Sequence, residues 1–381
     1  MPSYTIPFNR PLYLEESLTH VRAAYLNHHI SGNGPFTRQC EDFLARQLGT
    51  SRALLTTSCT AALEVCALLL DIKPGDEVIV PSFTFVSTAN AFALRGARPV
   101  FSDVRPDTMN LDEAKLESLI TPRTRAIVVV HYAGVACEMD AINAIARRHG
   151  VAVVEDNAHG LFGKYRGRWL GTLGAMATHS FHETKNLSCG EGGALLLNDP
   201  RYTDRAEIIR EKGTDRARFF RGQVDKYSWV ELGSSYVLSD VLAALLYAQI
   251  QVWPDIQARR RGLWQRYHAA LAPWARAQGV QQPSVPDHCE QAWHMYYLVL
   301  PSLATRTALI AHLQARGVNA VFHYLPLHLS EYARRWGGRT GDCPVTEDVS
   351  DRLLRLPFFN AMTADQQEQV ITAIQQFVVA G

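Results

Sequence analysis

Ala175-Met176-Ala177-Thr178-His179-Ser180-Phe181-His182-Glu183-Thr184-Lys185-Asn186, followed by Gly190-Glu191-Gly192-Gly193, is the stretch around which the rest of the chain is organised. Residues 175–181 read as a strand, the polar run after them as a turn, and the glycines as backbone that other groups can approach closely. Residues 193–197 read as one more strand. A lysine in such a turn, Lys185, is placed to hold its amine over a bound group and can condense with an aldehyde. Alone it reads as a solvated surface charge, so its partners must be sought elsewhere.

Upstream, short apolar runs alternate with segments of helical spacing. Strands are expected at 53–56, 77–81, 99–104, 125–130 and 151–155, with helices at 12–29, 36–48, 61–70, 86–94, 112–120 and 139–149. This alternation predicts an α/β fold with a mostly parallel sheet covered on both faces. In such sheets ligands bind beyond the carboxyl ends of the strands. Asp156 falls at one of these ends, and Phe85 at another, where the strand passes into a helix. Ser58, Thr60 and Ala61 open the helix after the first strand, where free N–H groups and the helix dipole suit a phosphate. Each also has a plain reading: a helix cap, a turn carboxylate, a core aromatic.

Downstream, 202–222 is basic and polar and reads as an exposed loop region. Residues 239–270 are helical apart from Pro254, and the domain junction is expected there, near 250. A strand at 294–300, a helix at 305–316, a strand at 318–325 and a helix at 364–378 then suggest a small α+β unit. The expected division is 1–250, a large α/β domain with an amino-terminal arm, and 251–381, a small carboxyl-terminal domain.

Composition narrows the function classes. The 381 residues are 47% apolar and 20% charged, which supports a sizeable core. With 38 basic and 37 acidic residues the net charge is +1, so no global field favours nucleic acid or an anionic membrane. The seven cysteines are scattered, with no C-x-x-C pair, so no metal site or disulfide framework is expected. The amino end lacks a secretory pattern, and the richest apolar stretch, 61–70, is short and interrupted by Glu64. The expectation is a cytoplasmic protein.

In chain order these candidates are a phosphate cup (Ser58, Thr60, Ala61), a ring able to stack (Phe85), a strand-end carboxylate (Asp156) and a lysine on a glycine-rich turn (Lys185). Pyridoxal 5'-phosphate asks for these four. Its phosphate needs fixed donors, its ring a face to lie against, its ring nitrogen a carboxylate that keeps it protonated, and its aldehyde an amine. No G-x-G-x-x-G follows the first strand, and no G-x-x-x-x-G-K-[ST] occurs.

Ser58-Cys59-Thr60-Ala61-Ala62-Leu63-Glu64, Pro81-Ser82-Phe83-Thr84-Phe85-Val86-Ser87-Thr88-Ala89-Asn90, Glu155-Asp156, Ser180 to Asn186 and Gly190 to Gly193 resemble the DegT/StrS nucleotide-sugar aminotransferases, and the likeness spans essentially the whole chain. Phe181 to Asn186, Phe219 to Tyr227 and Phe322 to His328 are most similar to the branch that makes dTDP-4-amino-4,6-dideoxygalactose for the enterobacterial common antigen.

The resemblance implies a fold type I pyridoxal phosphate enzyme, with a large mostly parallel sheet domain and a small α+β domain. It implies a homodimer whose active sites lie at the subunit interface. Lys185 is then the residue that bonds the cofactor and carries the proton, and Asp156 pairs with the ring nitrogen. Thr60, Ala61 and Ser180 hold the phosphate, and Phe85 stacks. His159 stands where the family commonly has a Gln bonded to the ring hydroxyl. Ser235 stands where many members carry an Asn that reaches the neighbouring subunit's phosphate. Arg221, His323 and Tyr324 are candidates for contact with the nucleotide sugar.

The implied reaction moves an amino group from L-glutamate to C4 of dTDP-4-dehydro-6-deoxy-D-glucose, giving dTDP-4-amino-4,6-dideoxy-D-galactose and 2-oxoglutarate. Two other readings stay open: a nucleotide-sugar 4-aminotransferase of different stereochemistry or nucleotide, and a non-catalytic regulatory protein that binds the same cofactor. The 3-dehydrase relatives replace the lysine with His, and this chain keeps Lys185.

Overall fold

A seven-stranded sheet runs in the order Arg52–Thr56, Gly193–Leu197, Met176–Ser180, Ala152–Asp156, Thr124–Val130, Glu77–Pro81, Arg98–Ser102 in the computed structural model, which describes residues 4–379. Residues 1–3 of the amino-terminal stretch, and 380–381, lie outside the described residues. From Arg98–Ser102 across to Met176–Ser180 every pairing is parallel, and Gly193–Leu197 is antiparallel to both of its neighbours.

The strands carry near-continuous apolar runs because both faces are covered. On one face Leu54, Val78, Val80, Val128, Val154 and Leu195 pack with the helices Cys59–Leu69 and Ser87–Ala93. The alternate residues Ile79, Ile127, Val129 and Val153 meet the helix Met139–His149 on the other. Farther along, Leu55, Ala177 and Leu196 meet the helices Pro35–Leu48 and Asp240–Gln251.

The helical stretch after residue 239 breaks at Val252, and Pro254 opens the second helix, Trp253–Ala277. Trp253 and Ile256, in the first turn of that second helix, still pack in the core under the large sheet, and the chain leaves that core beyond them. Leu263, Trp264, Tyr267 and Leu271 belong to a separate core around the antiparallel strands Tyr297–Val299, Leu353–Arg355 and Val321–Phe322. The sequence pattern places the amino-terminal arm with the large domain, yet Ile6 is buried in this second core. Its N–H donates to Gly317 O (3.0 Å), and its carbonyl accepts from Asn319 N (3.0 Å).

Three local expectations are corrected. The helix expected over 112–120 is one turn, Glu113–Leu116, followed by a 3-10 turn, Glu117–Leu119, after which Ile120 is already extended (φ −79°, ψ 130°). The strand expected over 318–325 is a single parallel bridge from Val318 to Ile6 and a two-residue strand, Val321–Phe322, because His323 and Tyr324 turn toward the large sheet and Pro326 follows. The basic segment 202–222 is not all exposed loop. Arg210 ends the helix Thr203–Arg210 and is buried, paired with Glu41 and donating to Leu55 O (3.0 Å) and Asn33 Oδ1 (2.7 Å).

Candidate active site

Two glycines set up the turn that carries Lys185. Gly193 lies against the start of the helix Cys59–Leu69, where a Cβ would fall 2.4 Å from Cys59 N, so no larger residue allows that approach. Gly190 adopts φ +88°, and its carbonyl accepts from Glu183 N (2.9 Å), folding 182–190 back on itself. Asn186 then anchors the turn. Its Nδ2 donates to Ala292 O (2.6 Å) and Gln257 Oε1 (3.0 Å), so its Oδ1 accepts, and His294 Nδ1 donates to it (2.9 Å).

Lys185 lines a cavity of about 530 Å³ at the carboxyl ends of the parallel strands. Burial lowers its pKa to about 8, and the nearby Arg355 adds to that, while Cys59 and Asp156 oppose it. Among the described residues no carboxylate lies within 4 Å of its amine. A larger fraction of the amine is therefore neutral near pH 7 than for an exposed lysine.

Asp156, buried at the end of Ala152–Asp156, shares the cavity. Its Oδ2 accepts from Thr88 Oγ1 (2.7 Å) and its Oδ1 from Ala158 N (3.3 Å). Among the described residues no cation lies within 4 Å of it. Burial holds its pKa above the usual carboxylate range, against the Thr88 hydrogen bond. A buried carboxylate without a cation fits a protonated ring nitrogen, which would favour its charged form.

His159 lies face to face with His294, ring centroids 4.3 Å apart and 17° from parallel. Its Nδ1 is buried with no hydrogen-bond partner. Burial, with Lys185 and Arg355 nearby, holds the ring neutral, well below the ordinary histidine range. An orphaned buried nitrogen in a cavity marks a place for a ligand atom.

Ser58 caps the helix Cys59–Leu69, accepting from Ala61 N (3.0 Å). Thr60 Oγ1 lies 2.8 Å from Ser87 Oγ, and these hydroxyls line the cavity with Ser180. Ala61, expected among the phosphate residues, does not line it, and its N–H is taken by Ser58 Oγ. Phe85 lines the mouth and is 58% exposed. The hydroxyl group, the unpaired carboxylate, the orphaned nitrogen and the lysine thus fit the phosphate, ring nitrogen, ring hydroxyl and aldehyde of pyridoxal phosphate.

His323 and Tyr324 also line this cavity, whereas Arg221 and Ser235 do not. Those two line a second cleft with Arg38, Arg52 and Arg216, where Arg221 pairs with Glu207 (2.7 Å). Sequence reasoning missed Cys59, Thr88, His294 and Arg355. Thr88 had a signal, since it lies one helical turn beyond Thr84 in the quoted 81–90 stretch, with the two hydroxyls 2.8 Å apart. Arg355 had none, being one arginine in Asp351-Arg352-Leu353-Leu354-Arg355.

Residues 13–375 match the model of the DegT/DnrJ/EryC1/StrS aminotransferase family. The chain is 34% identical over 384 residues to the spore coat polysaccharide biosynthesis protein SpsC of Bacillus subtilis, covering 99% of this chain and 98% of that protein. It is similar to the crystal structure of the aminotransferase TlmJ from Streptoalloteichus hindustanus, with 33% identity, TM-score 0.89, and 97% and 98% of the two chains covered. The PLP form of the putative sugar aminotransferase Spr1654 from Streptococcus pneumoniae matches at 25% identity and TM-score 0.90, with 98% of each chain covered.

Proposed function

The chain belongs to the DegT/DnrJ/EryC1/StrS aminotransferase family, a fold type I family that uses pyridoxal 5'-phosphate, and from that premise we propose how its own residues act and on what. The reading is amino transfer from L-glutamate to a keto carbon of a nucleotide-linked sugar. The acceptor we assign is C4 of dTDP-4-dehydro-6-deoxy-D-glucose, giving the galacto-configured 4-amino sugar, on the sequence likeness of 181–186, 219–227 and 322–328. A nucleotide-sugar 4-aminotransferase of other stereochemistry or nucleotide is the alternative acceptor reading.

The observation that carries the proposal is the pairing, in one cavity, of a lysine whose pKa is lowered to about 8 with a buried carboxylate that has no cation. When bound, pyridoxal phosphate draws electrons away from the carbon that carries the nitrogen. Asp156 holds a proton on the ring nitrogen, itself oriented by Thr88. Lys185, once its amine is free, removes the proton from the substrate carbon and returns it on the other side of the transfer. Its neutral form is the base, and burial supplies it near neutral pH.

His159 Nδ1 donates to the ring hydroxyl, and Ser58, Thr60 and Ser180 hold the phosphate at the amino end of the helix Cys59–Leu69. The exposed aromatics Phe85, Phe219, Phe220, Tyr227 and Trp229 suit burial against a second copy of the chain. In that homodimer Ser235 and Arg221 serve the neighbouring cavity.

The test is product analysis with glutamate and a panel of nucleotide keto sugars. Formation of 2-oxoglutarate and the galacto 4-amino sugar from dTDP-4-dehydro-6-deoxy-D-glucose is expected. Turnover only with another keto sugar replaces the acceptor, and no turnover by cofactor-loaded protein with any of them removes the proposal.

A further inference from the structure

Arg355 is a half-buried cation of the cavity, with no part in the amino transfer described so far. It ends the strand Leu353–Arg355 and lines the same cavity as Lys185. Among the described residues no carboxylate lies within 4 Å of its guanidinium, and its Nε is buried without a hydrogen-bond partner. Its one hydrogen bond there runs from Nη1 to His323 Nε2 (3.3 Å). Because a guanidinium only donates, His323 Nε2 accepts. The proton of neutral His323 then sits on Nδ1, 3.1 Å from the Tyr132 hydroxyl oxygen.

The arm closes the other side. Phe8 lies over the guanidinium, 4.6 Å from ring centroid to Cζ, and its carbonyl accepts from Phe358 N (3.2 Å). Asn9 Nδ2 donates to Glu183 O (3.1 Å), two residues before Lys185. The arm therefore ties the Arg355 side of the cavity to the lysine turn. A guanidinium so enclosed, aimed inward and without a counter-ion, is costly unless an anion joins it.

We propose that Arg355 binds the α-carboxylate of the amino donor, with His323 and Phe8 as the residues that position its guanidinium. The inference rests on the aminotransferase reading. It adds the residue that recognises the donor. Three anionic groups enter this site during a cycle, the α- and γ-carboxylates of glutamate and the diphosphate of the nucleotide sugar, and the γ-carboxylate lies two methylene groups away from the reacting carbon. The α-carboxylate is attached to the reacting carbon itself. The diphosphate is joined to C1 of the sugar, several bonds from C4. A cation in the same enclosed cavity as Lys185 therefore matches the carboxylate, and a planar fork with two parallel N–H groups matches its two oxygens.

The test uses cofactor-loaded wild type, Arg355→Gln and Arg355→Lys. Binding of 2-oxoglutarate to the loaded resting enzyme, read by calorimetry, needs no turnover. Arg355→Gln is expected to weaken it about 10- to 100-fold, and Arg355→Lys less, while dTDP binding is unchanged. In single-turnover spectra Arg355→Gln is expected to slow the reaction with L-glutamate by a similar factor and to leave the reverse reaction with the 4-amino sugar nucleotide near wild type. Unchanged 2-oxoglutarate affinity, or a loss confined to dTDP, overturns the proposal. So does an equal loss of both half-reactions, which assigns Arg355 to the cofactor or the fold. If wild type binds 2-oxoglutarate through Arg355 but aminates no keto sugar, the acceptor reading fails and this one stands.

Discussion

Thr88 Oγ1 donates to Asp156 Oδ2 at 2.7 Å, the shorter of two side-chain hydrogen bonds to the carboxylate beside the long one from Cys59 Sγ to Oδ1 (3.9 Å), while among the described residues no cation lies within 4 Å of Asp156. Thr88 is buried near the start of Ser87–Ala93, and Thr84 Oγ1, 2.8 Å away, fixes its rotor. The orientation of Asp156 is thus built from a different strand-helix unit than the one that carries it.

Thr88→Val keeps the shape and deletes the hydroxyl. We expect kcat to fall about 10-fold, corresponding to the roughly 1.5 kcal/mol of a hydrogen bond to a charged group, and the apoprotein to lose about 1–3 kcal/mol of stability, since Asp156 and Thr84 each lose a buried partner. Steady-state rates with saturating glutamate and keto sugar check this, and Thr88→Ser should restore most of the loss. An unchanged kcat would show that Asp156 needs no orienting partner.

Lys185 imposes a cost on the apoprotein that a substitution should relieve. Its folded pKa of about 8 lies below its ordinary 10.5. Between those values the unfolded chain binds more protons, so stability rises with pH there, and below about 8 the penalty is present in full. That lowering corresponds to on the order of 3 kcal/mol. Lys185→Met apoprotein should unfold at higher urea than wild type at pH 7, and the difference should shrink at pH 9.5. A variant less stable than wild type at pH 7 would contradict this.

Glu155 and His131 form a fully buried pair, Oε2 to Nε2 2.9 Å. Glu155 also accepts from Gly171 N (2.8 Å), Leu173 N (2.6 Å) and Gly174 N (2.6 Å). Burial alone would raise its pKa, but His131 and these N–H groups outweigh that and hold it below the usual range. Its stabilisation is therefore present above the ordinary glutamate pKa and lost as pH falls through the lowered one. Glu155→Leu should destabilise by about 3–5 kcal/mol, because His131 and three N–H groups lose their acceptor. Thermal unfolding at pH 7 checks it, and a shift within error would contradict it.

Much of the fold could be read from the chain because it rests on local pattern. The helix Met139–His149 is bounded as its periodicity predicts, with Gly150 in the left-handed conformation at its end. The parallel strands declare themselves as short apolar runs ending in polar residues. The site was legible where a residue sits at the end of such an element, as Lys185 and Asp156 do. Cys59, His294 and Arg355 were not, because their roles come from contacts across the fold. His294 reaches Asn186, 108 residues away, and Arg355 meets Phe8 of the arm.

His159 brings an aromatic nitrogen to the place where the likeness expects an amide. His159→Leu, which removes the free Nδ1 and preserves bulk beside His294, should weaken cofactor binding about 10-fold in titrations of apoprotein with pyridoxal phosphate. His159→Gln should recover most of it. Equal affinity in all three proteins would remove His159 from the cofactor's contacts.

The most direct measurement is the visible absorption of the purified, cofactor-loaded protein before and after L-glutamate, and then after dTDP-4-dehydro-6-deoxy-D-glucose. The band of the lysine-bound cofactor should bleach with glutamate, return with the keto sugar, and be absent in Lys185→Ala at matched cofactor occupancy. A wild-type band that glutamate leaves unchanged, or a Lys185→Ala protein that still cycles, would contradict amino transfer through Lys185.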